Sequence, residues 1–566
     1  MSTTVVSSKG STALTYAAAY LSVALAMTAY AIPGALNGTF ASEFHASGSG
    51  LTWITAAFEI GIVAFELTFG LLGDLFGRKR LLIGGSVLVV LGAVLSAVAG
   101  SIGFMIVAQA VIGIGAGLLF PIGLSMVAAL TDDHGRRSRI IATWAGFLSL
   151  GAVISPVLAT QTQMHFTTDT FDGWRVTYWI IVAIALALVA ISCGTRDSSA
   201  PAGRHLDLPG QITFALGLIA ALYATVTAVD SGFGDGRVIA GYVVGAVLLV
   251  AFVVVELRSP SPLLDLALFT NKDFSLGSVV AVVGMFAFLA ACFSTSISVG
   301  ALAQAPVWAV GVLFVFIQGP AFVLSPVVGW LIHRAAPRWV LTAGFGCMAG
   351  GAFWLSTFTL GVPEQFGGPA WTAWIAPLLL LGVGFALTGG SLTAVALNNV
   401  SPHQIGMASA TSSVMRDLGF TLGPVIGSVI AFSLGATALR DKIGGILTGA
   451  HLSPDAVAGL SQVPPLGWLS GWDGVIGQFS AEATAGGAPE QAVNGMVAAL
   501  NDPSTQGAIQ GLASSSLGDG FGTVYLVAAI AALACAVLTL FIGRTRSAAA
   551  APAAPGAILE EDAVAF

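Results

Sequence analysis

The chain is expected to fold as an all-α polytopic membrane protein, and three observations lead there. Of 566 residues only 20 are Lys or Arg and 27 are Asp or Glu, while 56% are hydrophobic and the mean hydropathy is +0.91. Soluble domains carry about a quarter charged residues; at 8% here, lipid as well as protein must cover the apolar surface. The apolar residues also gather in runs bounded by polar or Gly/Pro punctuation, each near the ~20 residues a helix needs to cross a hydrocarbon core. Lipid cannot satisfy free backbone N–H and C=O groups, and the alternating segments of about ten residues that build a membrane barrel are missing from the sequence, so the runs read as helices.

Taken in order, the runs lie near residues 14–32, 51–72, 80–100, 103–130, 138–160, 174–193, 208–230, 238–257, 275–300, 305–332, 338–360, 371–396, 405–435 and 521–543, which makes about fourteen spans. The first contains Ala29-Tyr30-Ala31, which has the form of a signal-peptide cleavage site, and is read as a retained span. Lys and Arg concentrate on the cytoplasmic side of membrane proteins. With the N-terminus inside, Lys9, Arg78, Lys79, Arg80, Arg136, Arg137, Arg139, Arg196, Arg204, Arg258, Lys272, Arg334, Arg338, Arg544 and Arg546 all fall inside. Outside are Arg175, Arg237, Arg440 and Lys442, and Arg416 sits within a span. An odd number of spans would scramble this separation, so the even count and two cytoplasmic termini support each other. A multi-pass protein of the cell membrane is the expectation.

Several classes are excluded on the same grounds. The formal charge of -7 offers no basic footprint for nucleic acid. Cys193, Cys292, Cys347 and Cys535 lack CxxC or CxxH spacing, so neither a disulfide framework nor a metal site is indicated. There is no GxxxxGK[ST] loop for ATP, and no HExxH or GxSxG motif lies in a span, so neither an ATP-driven pump nor an enzyme is expected, and no cofactor.

The organisation suggests a duplication. Gly151 to Ala159 (GAVISPVLA) aligns with Gly419 to Gly427 (GFTLGPVIG), pairing Pro156 in span five with Pro424 in span thirteen; Gly70 to Arg80 (GLLGDLFGRKR) aligns with Gly329 to Trp339. Residues 1–193 then form one six-helix bundle, 194–270 an inserted pair of spans, and 271–543 a second bundle. Transporters are often built from such repeats, with the substrate site between them near the midplane. Residues 436–520, rich in Gly, Ser, Pro and Asp, read as a long outside loop of limited order, and 544–566 as a disordered cytoplasmic tail.

Ionisable groups within spans draw attention because burying charge in lipid is costly. Glu59 and Glu66 are seven residues apart in span two and share a helix face, which continues toward Asp74. Arg416 and Asp417, adjacent in span thirteen, should point apart and find partners on other spans.

The loop Gly70-Leu-Leu-Gly-Asp74-Leu-Phe-Gly77-Arg78-Lys79-Arg80 resembles the GxLaDrxGRKR loop of the major facilitator superfamily, with Leu75 where an Arg is common. Fourteen spans, the stretch Ser261 to Phe269 (SPLLDLALF) and the segment Ser401 to Gly427 are similar to the fourteen-helix drug:proton antiporter branch. The resemblance implies two six-helix bundles plus two inserted helices working by alternating access. It implies export of a small amphipathic or cationic compound, driven by the proton gradient. It also implies that the Asp74–Arg80 loop gates, and that Gly423-Pro424 acts as a hinge or leak barrier. The departures are specific. The first span reads Met27-Thr-Ala-Tyr-Ala-Ile-Pro33 with no acid. Gln109 stands in the fourth span where the branch usually has Arg, and Ser155-Pro156 replaces Gly-Pro. The alternatives are a facilitator or uptake or lipid-type porter of the same fold without the usual proton coupling, and a non-transporting membrane sensor or assembly subunit.

Overall fold

The computed structural model describes residues 5–6, 10–128, 130, 134–199, 206–260, 262–303, 305–358, 369–398, 405–486 and 489–543. The expected tail at 544–566 lies outside these residues. The first half consists of α1 (Thr12–Glu43), α2 (Gly48–Val63), α3 (Glu66–Phe76), α4 (Arg78–Ala97), α5 (Ile102–Ala128), α6 (His134–Phe166) and α7 (Trp174–Cys193). A hairpin follows, α8 (Leu208–Ser231) and α9 (Gly236–Arg258). Then come α10 (Lys272–Ile297), α11 (Val307–Arg334), α12 (Pro337–Ser356), α13 (Ile375–Asn398) and α14 (Ile405–Gly449). Four short helices, α15 (Pro454–Leu460), α16 (Pro465–Ser470), α17 (Trp472–Ala485) and α18 (Glu490–Leu500), lead into the closing α19 (Pro503–Thr539).

Thirteen of the described helices are long and apolar enough to cross a bilayer; α2 and α3 in tandem supply the fourteenth crossing. Their starts are written in the sequence. Ser11, Ser47, Asp207, Asp235 and Asn271 each accept a backbone N–H of the first turn, which satisfies donors that lipid could not. The faces left over are apolar: Val243, Val247, Val250 and Leu257 of α9 are exposed on the outermost helix, as a lipid-facing surface requires.

The two halves pack alike. α1 lies on α6 as α10 lies on α14; α4 sits between α5 and α7 as α12 sits between α13 and α19. The halves meet along two seams, α6 against α11 and α2 against α14, and the α8–α9 hairpin lies over the second. One end of the assembly carries the Lys/Arg-rich connections (the basic face); the other carries the short helices.

That other end corrects the expected loop at 436–520. α14 continues to Gly449 and α19 begins at Pro503, so both spans run on beyond the expected boundaries. With α15–α18 they enclose a separate core of Leu439, Ile443, Leu447, Trp468, Leu500 and Ile509. The Gly and Pro residues that suggested disorder punctuate short helices: Pro454, Pro465 and Pro503 stand in first turns, where a missing N–H costs nothing. We call this helical segment the crown. Its Ser470 carbonyl accepts from His45 Nδ1 at 2.9 Å, tying it to the first half.

At the crown face the halves touch closely. Asn37 Nδ2 donates to Ser296 Oγ at 2.9 Å, and Ser296 Oγ to the Gly34 carbonyl. A Cβ on Gly38 would lie 2.6 Å from the Gly300 carbonyl carbon, so only glycine permits this approach.

Candidate functional site

Span two does not cross as one rod. α2 stops at Val63 and α3 starts at Glu66, so Ala64 and Phe65 interrupt the helix between the two carboxyl groups. Phe65 N donates to Ile62 O (3.1 Å) and Thr68 N to Phe65 O (3.0 Å), three-residue steps in place of four. The expected unbroken face is therefore replaced by two helix segments joined by a tight turn. Glu59, on α2, is 2% exposed; Glu66 opens α3 and is half-buried. Asp417 and Arg416 of α14 are charged neighbours of both.

Arg416 and Asp417 pair with each other, which corrects the expectation that neighbours in sequence would point apart. Arg416 Nε lies 2.7 Å from Asp417 Oδ1 and a terminal nitrogen 3.3 Å from Oδ2. Successive helix positions diverge by about 100°, but the guanidinium arm is long enough to fold back and fork the carboxylate. The carboxyl of Asp417 also adjoins that of Glu66. Asp417 is buried, whereas 35% of the Arg416 side chain is accessible.

Tyr30 of α1 adjoins Glu59, and Cys292 of α10 lies near Tyr30. Tyr30 Oη, Glu59 Oε1 and Glu66 Oε2 are buried with no hydrogen-bond partner among the described residues. A buried polar atom without a partner forfeits its hydration, and three such atoms lie around one junction. Phe58, next to Glu59 in sequence, packs on Tyr30 at 5.4 Å between ring centroids. Three carboxyl groups and one guanidinium beside the rings of Tyr30 and Phe58 can accommodate cationic, partly apolar species.

The other sequence candidates go elsewhere. Gln109 is fully buried among α4, α5 and α7, donating to Tyr178 Oη (2.9 Å) and Ser96 Oγ (3.3 Å), away from the acids. Gly77 has φ 95° at the α3–α4 turn, and a Cβ there would sit 3.0 Å from an Asp197 carboxylate oxygen. Lys79 N–H donates to that carboxylate (3.2 Å) and Lys79 Nζ to the Cys193 carbonyl (2.5 Å). Arg78 donates to the Ser125 carbonyl (3.2 Å) and Ser198 Oγ (3.3 Å), while Arg80 is exposed. These contacts reach α5, the end of α7 and the segment 195–198 just after it. Gly70 and Asp74 lie on α3, and their surroundings fall outside the described residues.

Gly151 packs on α1, its carbonyl accepting from Thr28 Oγ1 at 3.3 Å, while the Pro156 carbonyl accepts from Thr160. Gly419 and Gly423 pack on α10, and Gly427 meets Ala290 and Val524. Pro424 lies inside α14. These positions hold the first and fifth spans of each half together. Sequence reasoning passed over Tyr30, and also Gln211 of α8, whose amide reaches the broken turn. The signal in each case was a polar group inside an apolar span, which a search limited to charged residues overlooks.

A model of the Major Facilitator Superfamily matches residues 18–424. Multidrug resistance protein Stp of Mycobacterium tuberculosis is 28% identical over 397 residues, covering 70% of this chain and 71% of that protein. The tetracenomycin C resistance and export protein of Streptomyces glaucescens is 27% identical over 475 residues, covering 81% and 84%. Among solved structures, a proton dependent oligopeptide transporter aligns with a TM-score of 0.53 at 18% identity, covering 94% of this chain and all of that one. The Escherichia coli xylose transporter XylE aligns at 0.50 and 14% identity, covering 74% and 90%. Both likenesses are of fold.

Proposed function

Since the chain belongs to the major facilitator superfamily, we propose that it is a secondary active exporter of small amphipathic or cationic compounds, exchanging them for protons across the cell membrane. The observation that carries this reading is the excess of acid at the α2/α3–α14 seam: Glu59, Glu66 and Asp417 surround a single guanidinium, with carboxyl oxygens left unpartnered in a buried place. Ionised together, the three acids would leave two negative charges uncompensated in a low dielectric, which is costly. Protons relieve that cost, and so does a cationic substrate. Competition between the two for the same carboxyl groups is the simplest form of antiport.

The reading is supported by the names of the relatives, which are resistance and export proteins. With the basic face cytoplasmic, the tight crown-face contacts close the outer side and leave the acid cluster facing inward. Alternation then opens the Gly38–Gly300 and Asn37–Ser296 contacts and closes the basic face, the Asp74–Arg80 loop exchanging its present contacts for contacts across that face. Pro156 and Pro424 would be the bending points of the two long spans. No nucleotide enters this scheme.

The test is proton movement in proteoliposomes holding an interior pH dye, with lipophilic cations added outside. The parent protein is expected to give a substrate-dependent pH change that Glu66→Gln and Glu59→Gln each reduce at least about tenfold, a loss of ~1.4 kcal/mol of driving interaction. Substrate flux without proton movement, unaltered in both variants, would replace the antiporter by a facilitator.

A further inference from the structure

The break in span two exposes a backbone acceptor. In an unbroken helix the Ala64 carbonyl would take the Thr68 N–H; here Thr68 N–H goes to Phe65 O at 3.0 Å instead. The vacancy is filled from the inserted hairpin. Gln211, on the first turn of α8 and 7% exposed, donates its Nε2–H to the Ala64 carbonyl and accepts Thr68 Oγ1–H on its own Oε1. One side-chain amide thus stands in for a backbone donor on one side of the turn and grips the first turn of α3 on the other. Glu66 is the residue between those two anchors.

The α8–α9 hairpin is fastened to the first half by polar bonds. Besides Gln211, Asp230 at the crown end of α8 accepts from Ser47 Oγ (3.1 Å) and from Ser49 Oγ at the start of α2. Against α14 the same helix sets an apolar surface among the described residues: Ala215, Leu218 and Val226 cluster with Val414 and Val425. Directional bonds hold one register, whereas apolar contacts permit sliding. α8 therefore travels with α2 and α3 when the halves move.

We propose that Gln211 is a positioning residue for Glu66: its amide holds the broken turn of span two so that the Glu66 carboxyl meets Asp417 and Arg416. The inference rests on the antiport reading above, and assigns to the inserted spans a part in it. The charged groups facing Glu66 are Asp417 and Arg416 on α14 and Glu59 on its own span; Gln211 contributes geometry and no charge. Without the amide, the Ala64 carbonyl must find a donor by re-forming a continuous helix. That rotates α3 about its axis and carries Glu66 off the seam.

The experiment compares Gln211→Leu, Gln211→Glu and Thr68→Val with the parent in proteoliposomes, recording substrate-driven proton flux as a function of pH, each alone and combined with Glu66→Gln. Gln211→Leu is expected to lower coupled flux about tenfold and to move its pH midpoint by about one unit. Gln211→Glu, which keeps an acceptor for Thr68 but loses the donor, is expected to be impaired as well, and Thr68→Val to follow Gln211→Leu with a smaller shift. In the Glu66→Gln background none of them should alter the pH profile further, since the group they position is gone. A parental midpoint in Gln211→Leu, in protein that runs as a single species on size exclusion, overturns the proposal. If Gln211→Leu does not fold, Thr68→Val decides by the same criterion. If Glu66→Gln itself couples normally, the antiport reading fails; if it abolishes coupling while Gln211→Leu and Thr68→Val behave as parent, only the role of Gln211 fails.

Discussion

The two seams between the halves occupy equivalent places in the repeat, yet their chemistry is opposite. Where α6 meets α11, residues 143–162 and 307–331 contain no Asp, Glu, Lys or Arg. Contact there is glycine against Thr160: a Cβ on Gly311 would clash with Thr160 Oγ1 and lie 3.2 Å from the Pro156 carbonyl oxygen, which Thr160 Oγ1 meets from within its own helix at 2.8 Å. Every polar atom named is paired. Where α2 and α3 meet α14, three acids and an arginine are gathered, the helix is broken, and buried oxygens lack partners. The two joints share one arrangement of helices; one is uncharged, and the other gathers the ionisable groups.

The largest effect is expected from breaking the charged seam at its ion pair. Asp417→Asn leaves Arg416 beside two glutamates without its fork. Removing one partner of a buried pair costs roughly 3–5 kcal/mol; with 35% of the Arg416 side chain accessible, about 2 kcal/mol of stability is the expected loss, read as a lowered midpoint of thermal unfolding in detergent. Coupled flux should fall about 100-fold, equivalent to ~2.7 kcal/mol, because the remaining guanidinium then holds Glu66 as a permanent counter-ion. Asp417→Asn with Arg416→Gln should recover most of the stability and little of the flux. Near-parental flux in the double variant would show that the pair only packs.

A smaller effect is expected from the crown-face contacts that both seams share. Gly38→Val drives a branched side chain into the Gly300 backbone, already within 2.6 Å of where a first Cβ would stand. Outer closure is then blocked, and Ser296→Cys in that background should label faster with a membrane-impermeant maleimide added from the crown side. Transport should fall about tenfold, ~1.4 kcal/mol, with proton coupling of the residual flux unchanged. Loss of coupling in that residual flux would mean that crown-face closure and the charged seam are not separable.

Most of this architecture was legible in the sequence because lipid imposes a length and a polarity on each span: hydropathy located the crossings, and Lys and Arg positions distinguished the two faces. Glu59, Glu66, Arg416 and Asp417 stood out for the same reason, as charges where charge is expensive. Their arrangement did not. The break at Ala64-Phe65 contains neither Gly nor Pro, and its Ala64 carbonyl is met by Gln211, 147 residues away, a tertiary bond that no local pattern announces. The Arg416–Asp417 fork depended on side-chain reach rather than helix angle. The crown was misread because its composition matches loops, while its order comes from Trp468 and its neighbours closing a small core. Gln109 illustrates the converse: the position resembled that of a coupling residue, but its surroundings make it a hydrogen-bonded core amide among three helices.

The smallest effect should come from the uncharged seam, and it makes the sharpest control. Thr160→Val keeps the shape of a side chain that is 1% exposed and removes one hydroxyl. That hydroxyl donates to the Pro156 carbonyl at 2.8 Å, adding a side-chain donor to the acceptor that the backbone N–H one turn on would serve in the helix. Loss of a neutral hydrogen bond of this kind costs about 1 kcal/mol, visible as a modest drop in thermal midpoint. Flux should change less than about twofold, under ~0.4 kcal/mol, and its pH dependence not at all, because nothing at this seam exchanges protons. A pH profile that moved in Thr160→Val as far as in Glu66→Gln would mean that protonation is sensed through the geometry of both seams at once, and the division of labour between them would have to be abandoned.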